Sequence, residues 1–405
     1  MWEQISINAY DYRLPPTQIA SHPLEERDAS RLLVYDLGQI YDRCFRDLPD
    51  VLPAGALLVR NNTRVVPARL LFAKDSGAII EIFCLEPLEP ADYNLSFAQT
   101  GSVVWKAMVG NKKRWKSGHI HLYNPVNDKE CAHLSLLASC VGQDGDTFYI
   151  RFCWQGGLSF SEVLAICGRI PIPPYLGREA EPEDRERYQT IYALRKGSVA
   201  APTAGLHFSD YVISCIKDKK IEFTELTLHV GAGTFTPVKT HLLSQHQMHS
   251  EPFSVSRAFV ETLYNQKGPV VAVGTTSARC IESLYYFGIM CSMGQEPDFL
   301  PQWEAYRMPP LLDRKAALEA LLLYMQKNGL EVFEARTQIM IVPSFKFRFT
   351  NGLITNFHQP KSTLLLLIAA FIGEDWRKCY AHALEQNYRF LSYGDSSLLL
   401  QSREK

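Results

Sequence analysis

Histidines beside loops of small residues are the first positions at which this sequence could do chemistry. The segment 188–238 contains two such loops, 200–205 and 231–234; His207 follows the first and His229 precedes the second. Glycine lets backbone N–H groups converge on a ligand oxygen, because it lacks a Cβ atom and tolerates positive φ. Each loop could equally be a tight turn, and each histidine a hydrogen-bonded core residue.

Three further loops of small residues follow at 273–279, 355–363 and 392–396. The loop 273–279 comes directly after an apolar stretch, 269–273, which predicts a buried strand that leads into a helix over 278–287. The free N–H groups and the dipole of such a helix N-terminus favour a carboxylate or a phosphate, although the hydroxyl groups there could simply cap the helix. Because five such loops recur in one chain, we expect them to form one large polar site.

Composition indicates a globular protein with no global preference for nucleic acid. The chain has 405 residues, of which 46% are hydrophobic and 21% charged, with a net charge of −1. A nucleic-acid partner would therefore need a local basic surface. The ten cysteines are scattered without zinc-binding spacing and predict buried reduced thiols. The sequence has no export signal and no apolar run long enough to span a membrane, so we expect a cytoplasmic protein.

Periodicity predicts a mixed α/β main domain, residues 1–67 and 156–405, with a small β-barrel domain inserted at 68–155. The insert contains short alternating runs separated by turn residues and no clear helix. These runs predict strands at 79–85, 103–109, 119–123, 134–141 and 148–152.

One loop of the insert, 110–118, is the densest basic segment without an acidic residue. It carries Lys112, Lys113, Arg114 and Lys116 around a single tryptophan, Trp115. Cations and an aromatic ring are what a phosphate backbone and an unstacked base require. The same composition also fits a solvated hairpin tip.

Common enzyme motifs do not occur in the sequence. G-x-x-x-x-G-K-[ST], G-x-S-x-G and H-E-x-x-H are all absent, and the loop at 231–234 lacks the third glycine of a dinucleotide fingerprint. The residues alone therefore indicate an α/β enzyme with an inserted β domain and a polar site built from several loops.

Motifs spread from residue 12 to residue 395 are similar to those of one known family. They are AAPTAGLHF (200–208), TLHVGAGTF (227–235), HSE (249–251), VGTTS (273–277), ITNFH (354–358) and YRFLSYGD (388–395), with YRLP (12–15), HP (22–23), ERDASR (26–31) and NTRVVPAR (62–69) upstream. Together they resemble the S-adenosylmethionine:tRNA ribosyltransferase-isomerase family of queuosine biosynthesis. Asn62 stands where that family usually has aspartate, and residues 290–335 look longer than the family core.

The resemblance implies an unusual use of S-adenosylmethionine (AdoMet). Its ribosyl part is transferred to 7-aminomethyl-7-deazaguanine at the wobble position of tRNA and rearranged, which gives epoxyqueuosine, adenine and methionine. AdoMet is then a consumed substrate, and neither a cofactor nor a metal is expected. The expected partners are AdoMet and tRNA carrying the deazaguanine precursor, with no membrane and with the protein as a monomer.

This chemistry requires a base, a proton donor and polar groups that hold the substrate. The sulfonium acidifies the C5′ hydrogens of AdoMet, so a base could form an ylide whose electrons expel adenine. The candidate catalytic residues are His207, His229, His358 and Asp395, with the role of each left open. We expect His207 and His229 to face one AdoMet pocket. The candidate substrate-binding residues are Arg64, Thr203, Gly205, Gly231, Gly233, Thr234, Thr275, Thr276, Ser277, Asn356 and Lys361. The candidate tRNA-binding residues are Lys112, Lys113, Arg114 and Lys116.

Two alternatives differ from this hypothesis in what the protein would do. An AdoMet-dependent tRNA methyltransferase would release S-adenosylhomocysteine, but the chain lacks the glycine-rich loop after a first strand that such enzymes use. A non-catalytic tRNA-binding protein would use the loop 110–118 and would leave the five loops of small residues without a role.

Overall fold

A ten-stranded mixed sheet forms the centre of the main part of the chain. The computed structural model describes residues 2–123, 134–231, 240 and 242–401. The sheet order is β15-β16-β13-β12-β3-β14-β17-β18-β1-β2. Its strands are β1 (Arg31–Asp36), β2 (Gln39–Cys44), β3 (Leu57–Asn61), β12 (Glu222–Leu228), β13 (Glu251–Ser256), β14 (Val270–Val273), β15 (Phe299–Leu300), β16 (Val332–Thr337), β17 (Thr350–Asn356) and β18 (Ser396–Leu400).

Four neighbouring strands in the middle of this sheet run parallel. β12 pairs with β3, β3 with β14, and β14 with β17, all in parallel register. Every residue of β14 is buried, as expected for a strand covered on both faces. The carboxyl ends of these four strands therefore meet at one edge of the sheet. A separate parallel pair is formed by β4 (Thr63–Val65) and β11 (Arg195–Ser198).

Six antiparallel strands close into a barrel between residues 69 and 153. The barrel order is β10-β7-β6-β5-β8-β9. Its strands are β5 (Arg69–Ala73), β6 (Ile79–Glu89), β7 (Ser102–Val109), β8 (His119–Leu122), β9 (Leu137–Asp144) and β10 (Thr147–Cys153). Apolar side chains that alternate along the strands fill the interior, with Trp105 and Phe152 fully buried.

The helices pack on the sheet and on the barrel. They are α1 (Leu48–Val51), α2 (Tyr93–Ala98), α3 (Phe160–Cys167), α4 (Asp184–Arg187), α5 (Asp210–Asp218), α6 (Arg257–Asn265), α7 (Thr275–Ser292), α8 (Glu304–Arg307), α9 (Arg314–Lys327), α10 (Thr363–Ile372) and α11 (Trp376–Glu385). Helix α7 is buried along nearly its whole length and packs on the central strands. Within the described ranges, no helix has both the length and the hydropathy needed to cross a bilayer.

The structure confirms the mixed α/β class and the small barrel, and it adds elements that the sequence did not predict. The strand β5 was not predicted, and helix α2 lies in the segment expected to lack a helix. Its N-cap is Asp92, whose side chain accepts a hydrogen bond from the Leu95 N–H at 2.8 Å. The expectation of buried cysteines holds for Cys84, Cys280 and Cys379, whereas the other described cysteines are partly exposed.

Candidate active site

A cavity opens at the carboxyl edge of the central parallel strands. It contains about 880 Å³ of empty space, part of it open to solvent. Its lining comes from the residues after β12 and β14, the end of β17 and the loop 200–204. In open α/β sheets, ligands bind outside the carboxyl ends of the strands. The topology therefore brings together segments that are more than 150 residues apart in sequence.

The N-terminus of helix α7 forms one wall of this cavity. The N-cap residue Gly274 has φ of 90°, a conformation that favours glycine, and provides no side chain to cap the helix. Thr275 and Thr276 line the cavity. Ser277 is fully buried instead, and its hydroxyl donates to the carbonyl of Val273 at 2.8 Å. Two of the three predicted hydroxyl residues thus face the site, whereas the third stabilises the turn.

His358 lines the cavity just beyond the end of β17. Its Nε2 lies 2.9 Å from the Thr355 hydroxyl, and its backbone N–H donates to the Tyr380 hydroxyl at 3.0 Å. The Tyr12 hydroxyl donates to the His358 carbonyl. Burial lowers the pKa of His358 to about 3, so the imidazole is neutral at physiological pH. The neutral imidazole has one nitrogen lone pair, and burial disfavours its protonation.

His207 lies behind the cavity wall and contacts it through Asn356. The Asn356 side-chain nitrogen donates to His207 Nε2 at 3.0 Å and to the Leu391 carbonyl at 3.2 Å. His207 Nδ1 lies 2.8 Å from the Ser30 hydroxyl, which itself donates to the Arg27 carbonyl. The proton of the neutral ring therefore belongs on Nδ1. His207 does not line the cavity, and it orients Asn356, which does.

Arg279 is the ionised side chain of the cavity lining, and it is held by a buried acidic partner. Its Nη1 lies 2.5 Å from Glu251 Oε2, and its Nε donates to the Ile339 carbonyl at 3.1 Å. His249 Nε2 lies 3.2 Å from the other oxygen of Glu251. Burial raises the pKa of Glu251, but Arg279 and His249 outweigh burial and bring that pKa to about 2. Glu251 is therefore ionised and fixes the guanidinium.

Comparison with known proteins identifies the family. The family model described as queuosine biosynthesis protein matches residues 7–399. The chain belongs to the queuosine biosynthesis protein family. It is 38% identical over 403 residues to an S-adenosylmethionine:tRNA ribosyltransferase-isomerase of Azoarcus sp. (strain BH72), with 98% of both chains covered. It is 37% identical over 403 residues to an enzyme of the same name from Desulfitobacterium hafniense (strain DSM 10664 / DCB-2), covering 98% of this chain and 100% of the relative.

A solved structure is also similar to this family member. The crystal structure of S-adenosylmethionine tRNA ribosyltransferase from Thermotoga maritima is 28% identical in sequence. The match covers 96% of this chain and 99% of that chain, with a TM-score of 0.46.

His229 lies in a different cleft, between the barrel and the sheet. Its ring stacks on Tyr93 of helix α2 with centroids 4.3 Å apart, and its Nδ1 is 3.5 Å from the Thr63 hydroxyl. Burial lowers the pKa of His229 to about 4. The cleft is larger than the cavity, with about 1900 Å³ of empty space including open solvent. The structure therefore does not bring His207 and His229 into one pocket, contrary to the sequence-based expectation.

The predicted glycine and threonine contacts divide into lining and packing residues. Thr203 lines the cavity. Gly205 does not line the cavity. A Cβ atom at this position would lie 2.1 Å from the Tyr192 hydroxyl, so this glycine permits close packing. Gly231 lies outside the cavity lining, with His249 as its near neighbour. Gly233 and Thr234 lie outside the described residues.

Two predicted cations and Asp395 also lie away from the cavity. Lys361 pairs with Asp11 at 2.8 Å on the surface. Arg64 is exposed and lines a separate surface pocket beside the barrel. Asp395 is buried; its two oxygens accept the backbone N–H groups of Arg31 and Arg389, each at 2.8 Å. Burial raises the pKa of Asp395, and these bonds make it a residue that stabilises the chain turn before β18.

In the basic loop of the barrel, 110–118, the tryptophan is not placed as the prediction of a stacking surface for a base requires. Trp115 is 0% exposed, and its indole N–H donates to the Gly118 carbonyl at 3.1 Å, so the ring is not available to stack on a base. Lys112 is partly buried, and its ammonium donates to the Trp115 carbonyl at 2.7 Å. Lys113, Arg114 and Lys116 are exposed.

Two charged residues of the site, Glu251 and Arg279, were not assigned a role from sequence. Glu251 lies inside a segment that carried the family resemblance, 249–251, and Arg279 ends the small-residue loop 273–279. Arg279 also falls near the start of the helix predicted over 278–287, which directly follows a strand predicted to be buried. A charged residue that is buried there requires a partner of opposite charge, and this requirement could have pointed to the pair.

Asn62, which stands where the family usually has aspartate, is hydrogen-bonded to two polar side chains. Its side-chain nitrogen donates to Glu225 at 3.1 Å, and its oxygen accepts from the Thr227 hydroxyl at 2.8 Å. This residue lines the large cleft and not the cavity.

Proposed function

We propose that the protein transfers and isomerises the ribosyl part of AdoMet onto 7-aminomethyl-7-deazaguanine at the wobble position of tRNA. The products are epoxyqueuosine in tRNA, adenine and methionine. Membership of the queuosine biosynthesis family and the names of the relatives support this reaction class. The observation that carries the proposal is that residues from three separate motifs line one cavity: Thr203, Thr276, and the pair Asn356 and His358.

His358 is the proposed base that removes a C5′ proton from AdoMet. Among the described residues it is the histidine that lines the cavity. The Thr355 hydroxyl donates its single hydrogen to the Asn356 carbonyl at 3.3 Å, so it accepts the Nε2–H of His358 at 2.9 Å. The lone pair of Nδ1 then remains to take the proton. The ring is neutral at physiological pH, so this lone pair is available without prior deprotonation. Burial disfavours the imidazolium that forms, so the proposal requires the bound substrate to raise the pKa of His358.

The remaining polar residues of the cavity hold and orient AdoMet. The hydroxyls of Thr275 and Thr276 and the amide of Asn356 suit the ribose hydroxyls and the adenine edge. His207 acts through Asn356 as a positioning residue, because their hydrogen bond fixes the amide plane. After the ylide expels adenine, which takes up a proton as it leaves, the aminomethyl nitrogen of the tRNA base attacks the ribosyl carbon and loses a proton. The bond between sulfur and the ribosyl carbon breaks, and its electron pair leaves with the sulfur of methionine.

One assay separates this function from both alternatives. The protein is incubated with AdoMet and tRNA that carries the deazaguanine precursor, and the small products are quantified. Adenine and methionine in equal amounts support the proposal, S-adenosylhomocysteine indicates a methyltransferase, and unchanged AdoMet with bound tRNA indicates a binding protein. A tRNA with ordinary guanine at the wobble position is the control, because it lacks the nitrogen that attacks.

We further propose that the protein acts as a monomer in the cytoplasm on these two substrates. Light scattering during size-exclusion chromatography, at concentrations above those of the assay, measures the mass directly. A dimer as the active species would contradict the monomer without affecting the proposed reaction.

A further inference from the structure

The guanidinium of Arg279 has one donor that the protein does not use. Nε and Nη1 are bonded to the Ile339 carbonyl and to Glu251, whereas Nη2 is buried and has no hydrogen-bond partner within the described residues. The residue is only 4% exposed. Buried donors without a partner are rare in native proteins, and one that borders a cavity indicates a ligand.

The surroundings of this donor favour an anion. In the described lining of the cavity, Arg279 is the only ionised side chain, and no aspartate or glutamate takes part. Glu251 is bonded to Nη1 and His249, so it orients the guanidinium without reaching the unused donor. The unused Nη2 carries two N–H donors of a charged group, and such donors bond the oxygen of an anion more strongly than neutral donors do.

The N-terminus of helix α7 adds further donors beside Arg279. The first intrahelical bond runs from the Ala278 N–H to the Gly274 carbonyl, so the N–H groups of residues 275–277 precede it and need outside partners. Arg279 follows Thr275 by four residues, which places both on one face of the helix. The positive end of the helix dipole reinforces the preference for negative charge.

We propose that Arg279 and the N-terminus of helix α7 bind the carboxylate of the methionine part of AdoMet. This inference rests on the proposed function, because it assigns one end of the same substrate. The carboxylate is the sole anionic group of AdoMet. A backbone phosphate of tRNA offers similar oxygens, but it is joined to a nucleoside on each side. The carboxylate of AdoMet is a terminal group, so it can be bound against a cavity wall without room for further atoms behind it.

Binding of AdoMet and of decarboxylated AdoMet tests the assignment. The two ligands share the adenosine, the sulfonium and the amine, and calorimetry gives a Kd for each in the presence of unreactive tRNA with guanine at the wobble position. We expect the wild type to favour AdoMet by about 10- to 100-fold, the usual contribution of hydrogen bonds to a charged group. In Arg279→Gln this ratio should fall below roughly threefold.

A second variant covers the risk that Arg279→Gln does not fold, since it leaves Glu251 buried without its cation. The double variant Glu251→Gln/Arg279→Gln removes the charge pair together and should show the same lost preference. The matched control is Arg178→Gln/Asp184→Asn, which removes another buried pair, bonded at 2.7 Å, from outside the cavity. This control should keep the preference of the wild type.

Each outcome of the experiment has a distinct meaning. Equal affinity of the wild type for both ligands, or an unchanged ratio in both Arg279 variants, would overturn the carboxylate site. If the wild type bound both ligands equally and the Arg279 variants bound tRNA more weakly, the anion would be assigned to a phosphate. Failure of the proposed function is different: no adenine is released from precursor tRNA, even where the carboxylate preference is observed.

Discussion

The cavity at the sheet edge and the basic tip of the barrel were both predicted as ligand sites, and they differ in how their residues are used. In the cavity, residues from separate motifs converge, and even the residues behind the wall, such as His207, are bonded to the lining. At the tip, neighbouring residues in sequence serve separate purposes. Trp115 belongs to the barrel core, whereas Lys113 and Arg114 face solvent. A shared site therefore depends on topology more than on local composition.

The largest effect is expected at His358. His358→Ala should reduce adenine release at saturating substrates by about 100-fold or more, because a general base contributes that much. His119→Ala, an exposed histidine on barrel strand β8, is the control and should keep the wild-type rate. Circular dichroism of both variants checks folding. If His358→Ala retained more than a tenth of the wild-type rate, the base would have to be another group.

The buried histidines should also make the main domain sensitive to acid. Burial, followed by the charges of Arg389 and Arg27, lowers the pKa of His207 to about 3, below the unfolded value of about 6.5. The unfolded state therefore binds protons first as the pH falls below about 6.5, and stability decreases from there towards pH 3. Between pH 7 and pH 5 the loss is roughly 2 kcal/mol for such a histidine.

Urea unfolding at both pH values measures this loss. In His207→Gln the difference between pH 7 and pH 5 should shrink by roughly 2 kcal/mol, whatever the stability at pH 7. His119→Gln should leave the difference unchanged. An identical pH dependence in His207→Gln and wild type would mean that His207 is not held neutral by the fold.

The sequence correctly predicted elements whose structure is determined by local residue patterns. The strand β14 and the helix after it follow from an apolar run and a small-residue loop, although helix α7 begins at Thr275 and not at residue 278. The reason is that Gly274 itself serves as the N-cap. Strand β5 was missed because residues 70–73 are all apolar, which hides the alternation of buried and partly buried positions along the strand.

The division of the candidate site into lining and supporting residues could not be predicted in the same way. His207 and His358 both follow small-residue motifs, but whether a ring faces the cavity depends on partners such as Ser30, which is 177 positions away from His207. Lys361 is directed away from the site by Asp11, from the opposite end of the chain. Such contacts are set by the tertiary fold and leave no mark in local sequence.

Two neighbouring hydroxyl residues, Thr276 and Ser277, test the division of the site into lining and supporting residues, with smaller expected effects. Thr276 lines the cavity, whereas the hydroxyl of Ser277 bonds the Val273 carbonyl. We expect Thr276→Ala to weaken AdoMet binding by about 3- to 10-fold with little change in stability. Ser277→Ala should instead lower the free energy of unfolding by about 1 kcal/mol and leave the Kd for AdoMet unchanged. The reverse pattern would assign the ligand contact to Ser277.

The smallest effect is expected at the tip of the barrel. We expect Lys113, Arg114 and Lys116 to contact tRNA phosphates, because the neutral chain needs a local basic surface. Each lost contact should reduce the slope of log K against log salt by about 0.7 to 0.9. Replacing all three by serine should thus flatten the salt dependence of tRNA binding while the affinity for AdoMet stays the same. Lys112 is kept, because it packs on Trp115.

The control for this experiment removes the same charge from another exposed surface, with Lys217, Lys219 and Lys220 at the end of helix α5 changed to serine. Its slope should match the wild type, because the same net charge is lost from a surface that is not expected to contact tRNA. The control also removes the exposed ion pair between Lys219 and Asp50. If the tip variant and this control had equal slopes, the tip would not bind tRNA. The basic segment 185–196, which borders both the large cleft and the surface pocket of Arg64, would then be the next surface to test.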